Sequence, residues 1–253
     1  QFGTMGKPYN AGIAAANAIE ACGLARRGFT SAVDGLGGPQ GFVPAHHPQH
    51  DSSEAILPDG SETSFMFADV RHKLHACCHG AHAMIEGLRN LVAAHDITAQ
   101  NLAALSIRVN PRWLKVCDIK APRTGLEVKF SYVFLAAMVL HHIDTAAYQS
   151  YDDSICGNAG LIATASKITV IGDEAISDGA VNVSADTQTG VRHTTDFDLM
   201  DPIDLSVLGP RLVAKASVLI GPARAEKIWE SMDDLDSMPA AQMAGCLQPL
   251  QNA

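Results

Sequence analysis

No apolar run in these 253 residues approaches the roughly eighteen that a membrane-spanning helix needs. The N-terminus also lacks the basic-then-apolar pattern of a secretory signal. Basic residues are in the minority. Eighteen Lys and Arg stand against 27 Asp and Glu, a formal charge of −9, which argues against non-specific nucleic-acid binding because basic patches supply that affinity. An anionic small molecule is not excluded, since local lysines bind carboxylates in acidic proteins too. The standard metal and catalytic signatures are missing as well: no C-x-x-C, no H-E-x-x-H and no G-x-S-x-G. Gly35-Leu36-Gly37-Gly38 has no Lys-Ser/Thr after it and no strand-to-helix setting, so it does not read as a phosphate cradle. The six cysteines (Cys22, Cys77, Cys78, Cys117, Cys156 and Cys246) are scattered through a chain too long to need disulfide staples. Reduced thiols in a soluble cytoplasmic protein are the expectation.

What the chain does have is concentrated between Val70 and Leu91. Four histidines, two cysteines and Lys73 fall within positions 72–82. A helix from about His75 would carry His75, His79 and His82 on one face at i, i+4 and i+7. Two chemistries compete for this stretch: a metal site of imidazole and thiolate, and a polar helix entry lining a substrate cavity.

Around it, 47% apolar residues predict a folded chain with a sizeable core. Asn10 to Arg27 reads as a helix with Asn10 as N-cap and Gly28 as terminator. Its Ala- and Gly-rich interior predicts burial among other helices. The chain opens at Gln1 without an initiator Met and enters this helix almost at once, so a preceding part of a larger protein is expected. Residues 35–60, rich in Gly, Pro, His and Ser, read as an irregular loop, and His46, His47 and His50 as its solvated members. A helix is predicted over 79–95 from the recurrence of Ala81, Met84, Ile85, Leu88, Leu91 and Val92. Ala103–Val109 alternates as a strand, Trp113–Cys117 reads as a second short strand or a turn, and Leu126–Ile143 as one buried helix. After a short helix near Leu161–Ser166, the runs 167–171, 180–185 and 190–195 predict an antiparallel meander. From Ile203 the pattern is helical again, punctuated at Gly209-Pro210 and Gly221-Pro222. The fold class is therefore α+β: a mainly helical domain (1–55 and 201–253) with a smaller inserted α/β lid domain (56–200).

The spacing for zinc is poor. Adjacent Cys77 and Cys78 point about a hundred degrees apart on a helix, although three aligned imidazoles remain a possible ligand set. A nucleophilic Cys77 or Cys78 competes with the commoner role of buried packing thiol. Lys7 and Lys73 stand out because each sits at the mouth of a predicted helix, where its charge adds to the partial positive charge already present. That pairing favours a bound anion, against the plain alternative of solvated surface lysines.

Four ordered motifs carry a resemblance. The opening Gly3-Thr4-Met5-Gly6-Lys7-Pro8-Tyr9-Asn10-Ala11-Gly12 with Arg27-Gly28-Phe29-Thr30, the loop Gly38-Pro39-Gln40-Gly41-Phe42, the helix entry Lys73 to His82, and Pro122 to Ser131 together resemble the MmgE/PrpD family, which includes 2-methylcitrate dehydratase, cis-aconitate decarboxylase and iminodisuccinate epimerase. The resemblance implies a helical domain carrying an α/β lid, with a polycarboxylate site between them. It also implies no metal or other cofactor, and a homodimer. By it, Lys7 and Lys73 match active-site lysines that bind substrate carboxylates and stabilise charge as an α-proton leaves. His82 falls at the histidine that closes the third stretch and is the expected proton carrier, with His75 as fallback, and Ser131 and Phe134 lie at the start of the helix expected to flank the substrate. Asn10 stands where many relatives carry His, and Phe134 where the decarboxylases carry Tyr, which counts against decarboxylation. The family's N-terminal helical region has no counterpart in this sequence. The expected activity is a hydro-lyase of the 2-methylcitrate dehydratase kind acting on a small polycarboxylate. The alternatives are an epimerase or isomerase of a dicarboxylate, a truncated non-catalytic subunit, and a metal-binding protein using His75, His79 and His82.

Overall fold

The computed structural model describes residues 4–46 and 70–247. The expected loop histidines His47 and His50, and the loop over 47–60, lie outside the described residues. The chain divides into two compact units, Met5–Arg71 and His72–Ala253.

The first unit is led by α1 (Gly6–Arg26). The helix begins four residues before Asn10, with Met5 at the N-cap position and no side-chain cap. Pro8 is tolerated there because first-turn N–H groups have no partner within the helix. Its end is as expected: Gly28 adopts φ +84° and donates its N–H to Ala25 O at 3.0 Å, while Phe29 N–H reaches Leu24 O at 3.1 Å. The predicted burial differs. No side chain of α1 is buried, because the rest of the described unit is a run of turns and one short helix, α2 (Phe42–His46).

The second unit holds the core. A single 3-10 turn, His79–Ala81, leads into α3 (His82–His95), whose buried face includes Met84, Ile85, Leu88 and Leu91. That helix lies on a four-stranded sheet built from β1 (Leu102–Val109), β2 (Ile168–Gly172), β3 (Ala180–Thr187) and β4 (Arg192–Asp198), in the order β2-β1-β3-β4. Gly87 makes the approach close: a Cβ there would come within 3.3 Å of both Phe197 and Val181.

The meander is only partly realised. β3 and β4 form the expected antiparallel hairpin, but β2 pairs in parallel with β1 (Leu105 opposite Ile168), and β1 separates β2 from β3. The long helical connection between β1 and β2 makes this possible, since parallel neighbours need a crossover rather than a tight turn. β1 is central and buries Leu102, Leu105, Ile107 and Val109.

Three helical expectations are also revised. Residues 111–117 are helical rather than a second strand: Asn110 Oδ1 accepts from Arg112 N–H at 3.1 Å, Pro111 opens a 3-10 turn, and α4 (Leu114–Cys117) follows. The single helix over 126–143 is two pieces, α5 (Gly125–Val128) and α6 (Tyr132–Leu140). They are broken where extended Ser131 bridges to Asp118. Every residue of α6 is buried, as befits a helix apolar on all sides. α7 (Ala159–Ala165) is where a short helix is expected. Finally, α8 (Leu205–Ile220) runs straight through Gly209-Pro210. The glycine serves packing there, since a Cβ would lie 3.0 Å from Trp229 on α9 (Pro222–Glu230). Only Gly221, at φ +87°, separates α8 from α9, and α10 (Ala240–Leu247) follows. Helices and one mixed sheet make the fold α+β.

Candidate functional site

The predicted helix from His75 is absent; α3 proper starts at His82. The preceding residues are held in an open conformation by distant partners: Ala76 N–H donates to Thr145 O at 2.9 Å and Cys78 N–H to Lys129 O at 3.0 Å. The imidazoles meet nonetheless. The His75 and His82 ring centroids are 5.0 Å apart and those of His79 and His82 5.5 Å, so a bend and a 3-10 turn achieve what helical spacing was expected to do.

Each histidine has a different environment. His75 is fixed at both ring nitrogens. Nε2 donates to Glu86 Oε1 at 2.8 Å, and Nδ1 lies 2.7 Å from Thr145 Oγ1. Arg211 on α8 clamps the same carboxylate, with Nη2 2.6 Å from Oε1 and 2.7 Å from Oε2. Burial pushes the Glu86 carboxyl up, but the hydrogen bonds from His75 and Arg211 outweigh it and hold the group at about 2. His82 is the contrast. It is 1% exposed, and its Nε2 is buried without a hydrogen-bond partner. Burial first, then the neighbouring His75, His79, Lys73 and Lys215, push its imidazole down to about 2, so it stands neutral at physiological pH. Burial and Lys73 also lower His79.

Lys73 lies beside this cluster in the extended lead-in and donates from Nζ to Cys77 O at 3.1 Å. Lys215 Nζ on α8 donates to the backbone carbonyl of Lys73. Burial, then Lys73, lowers its ammonium. A cavity of about 200 Å³ opens here, walled by His75, Arg89, Asp144, Arg211 and Lys215. The thiols behave as packing groups: burial and then Cys78 push the Cys77 thiol up to about 12, far from a thiolate at neutral pH.

The other expected residues are placed differently. Ser131 is fully buried, and its Oγ accepts from Phe134 N–H at 3.3 Å as the N-cap of α6. Phe134 lines a separate cavity of about 410 Å³ with Lys120, Val133, Cys156 and Ile162. Lys7 is the second residue of α1, in the first unit. Among the described residues, no group of three or more His, Cys, Asp and Glu is disposed to hold a metal ion.

Glu86, Thr145, Arg211 and Lys215 are absent from the sequence-derived site. Glu86 did leave a signal, as a charge inside the apolar stretch Ala83–Leu88. Arg211 and Lys215 left none, being separated from their partners by more than a hundred residues.

A helix laid on a mixed sheet, with titratable groups gathered where the chain enters that helix, defines an α+β fold with a candidate site at the start of α3. Residues 75–199 match the model of the MmgE/PrpD C-terminal domain. That segment is therefore similar to the C-terminal domain of the MmgE/PrpD family, whose members are generally hydro-lyases or related enzymes. Lys73 lies just before the matched segment, and Arg211 and Lys215 beyond it. No curated protein matches the chain significantly. Among the described residues no helix is long and apolar enough to cross a membrane.

Proposed function

We propose that this protein is a hydro-lyase acting on a small polycarboxylate, abstracting an α-proton and expelling water from the adjacent carbon. The observation that carries this reading is the buried, unpartnered Nε2 of His82 beside Lys73. An orphaned buried nitrogen costs stability and calls for a ligand.

In this mechanism Lys73 grips a substrate carboxylate. As the α-proton leaves, charge flows onto that carboxylate, and the ammonium stabilises it. His82 takes the proton at Nε2. Its low basicity has two sources, burial and the neighbouring basic side chains. A bound anion reverses the second, raising His82 toward the range in which a general base works. His75 is less suited to carry a proton because both its ring nitrogens are engaged; it holds the edge of the cluster in place. The family resemblance assigns Lys7 a companion role on a second carboxylate, and Ser131 and Phe134 to the substrate's flank. In the same reading residues 56–200 are the lid domain.

Assaying 2-methylcitrate and related polyacids tests this. Lys73→Ala and His82→Gln are each expected to lower kcat/KM by about 100-fold or more, and Lys7→Ala to raise KM. Undiminished turnover in the Lys73 and His82 variants would sink the mechanism. Product analysis separates dehydration from epimerisation, which shares the carbanion and differs in returning the proton.

A further inference from the structure

The strongest unassigned feature is a pair of lysines tied together through the backbone, neither with a carboxylate partner among the described residues. Lys73 and Lys215 come from elements 142 residues apart. Lys215 is anchored through the Lys73 backbone carbonyl, and Lys73 through that of Cys77. Among the described residues neither has a carboxylate within ion-pair distance, although Arg108, Arg112, Lys120, Arg123, Arg192 and Arg211 all do.

The acids around the cavity and the histidine cluster do not redress this. Glu86 is consumed by His75 and Arg211. Asp144 lines the same cavity, but its Oδ1 accepts from the backbone N–H of Ala146 at 2.8 Å. Arg89, on the same wall, adds a further positive charge and has no hydrogen-bonding or ion-pair partner among the described residues. Like charges held in one neighbourhood, one of them half-buried, disfavour the fold unless an anion joins them.

We propose that Lys215 is a substrate-binding residue: beside Lys73 it holds a further carboxylate, apart from those assigned to Lys73 and Lys7, so that α8 completes the site and selects acids with two or more carboxylates over monocarboxylates. This rests on the hydro-lyase reading for its substrate, but the binding claim stands on the lysine pair itself. Lys215 binds rather than reacts. Each ammonium donates one hydrogen bond to a carbonyl and keeps two N–H groups for a ligand, and the adjoining cavity of about 200 Å³ suits a few-carbon acid.

The full chain tests it with Lys215→Met, Lys215→Arg and two probes. Calorimetry with tricarballylate, a non-reacting tricarboxylate, is expected to show about ten-fold or greater weakening in Lys215→Met and partial recovery in Lys215→Arg. Acetate is expected to bind far more weakly to the wild type and to be insensitive to the substitution. In turnover, KM should rise by a similar factor with kcat nearly unchanged, the mark of a lost binding contact. The melting temperature of Lys215→Met should hold or rise, because a repulsion is removed. A purely structural lysine would give the opposite pattern, a lower melting temperature with tricarballylate affinity unchanged, and that result overturns the proposal. If the wild type turns over no polyacid yet binds tricarballylate in a Lys215-dependent way, the hydro-lyase reading fails and this one stands. If turnover proceeds with KM indifferent to residue 215, this one fails alone.

Discussion

Two side chains on one turn of α3 show how environment sets chemistry. His82 and Glu86 are four residues apart and both buried, yet the Nε2 of one has no hydrogen-bond partner while the other is held by His75 and Arg211. Both groups are held below their ordinary range. A group with a depressed folded pKa contributes stability above its unfolded pKa and loses it as pH falls through the folded one. For His82 that loss begins below about 6.5 and continues to about 2. For Glu86 it begins only near the ordinary carboxylate value of 4.5. Between pH 7.5 and 5 His82 therefore outweighs Glu86. The urea midpoint should fall over that interval, and His82→Gln should flatten the slope; an unchanged slope would place the acid sensitivity elsewhere. Glu86→Gln breaks the carboxylate clamp, leaving Arg211 without its ion pair and His75 without its acceptor. A loss on the order of 3 kcal/mol is expected in chemical denaturation.

At the scale of elements, short polar punctuation decides where helices begin. Ser131 is fully buried and caps α6 through its hydroxyl. Ser131→Ala should cost about 1 kcal/mol of stability and leave substrate affinity unchanged if capping is its whole role; a rise in KM at constant stability would support the flanking role drawn from the resemblance. Gly87→Val probes the helix-on-sheet contact. Its side chain must displace Val181 or Phe197, so about 1–3 kcal/mol should be lost to overpacking, visible as a lower melting temperature. Sequence periodicity made these elements legible one at a time. The stripe through Met84, Leu88 and Leu91 and the alternation of Leu105, Ile107 and Val109 are local signals. The break at Ser131 was not legible, because apolar residues on both sides mask a residue whose backbone bridges to Asp118. Gly209-Pro210 misled for a related reason: Gly-Pro signals a break, but here a tryptophan on another helix fills the space a side chain would take.

For the whole molecule, what could be read ahead ended where long-range pairing began. The lysine and histidine cluster was visible because its members are close in sequence. Glu86 and Arg211, 125 residues apart, could be joined only by the fold. The sheet repeats the lesson, since the strands were placed from their own residues but their neighbours were not. The family resemblance predicts a homodimer, and light scattering should return twice the chain mass. Among the described residues α1 leaves Tyr9 and Ile19 well exposed, so Ile19→Asp should be harmless to a monomer and would lower the mass toward one chain if this face lies in the dimer.

The parallel pairing of β1 with β2 has a consequence in time as well as in space. The β3–β4 hairpin needs only a short turn, whereas β1 meets β2 only after the intervening residues 110–167 have been gathered in. Closing that loop must come before any reward from the pairing. Pulse-labelled hydrogen exchange during refolding should therefore find amides of Val183 and Thr195 protected early and those of Val170 and Ile171 late. The edge strand β2 is then the last to set, and until it does β1 offers a bare edge to any other strand in reach.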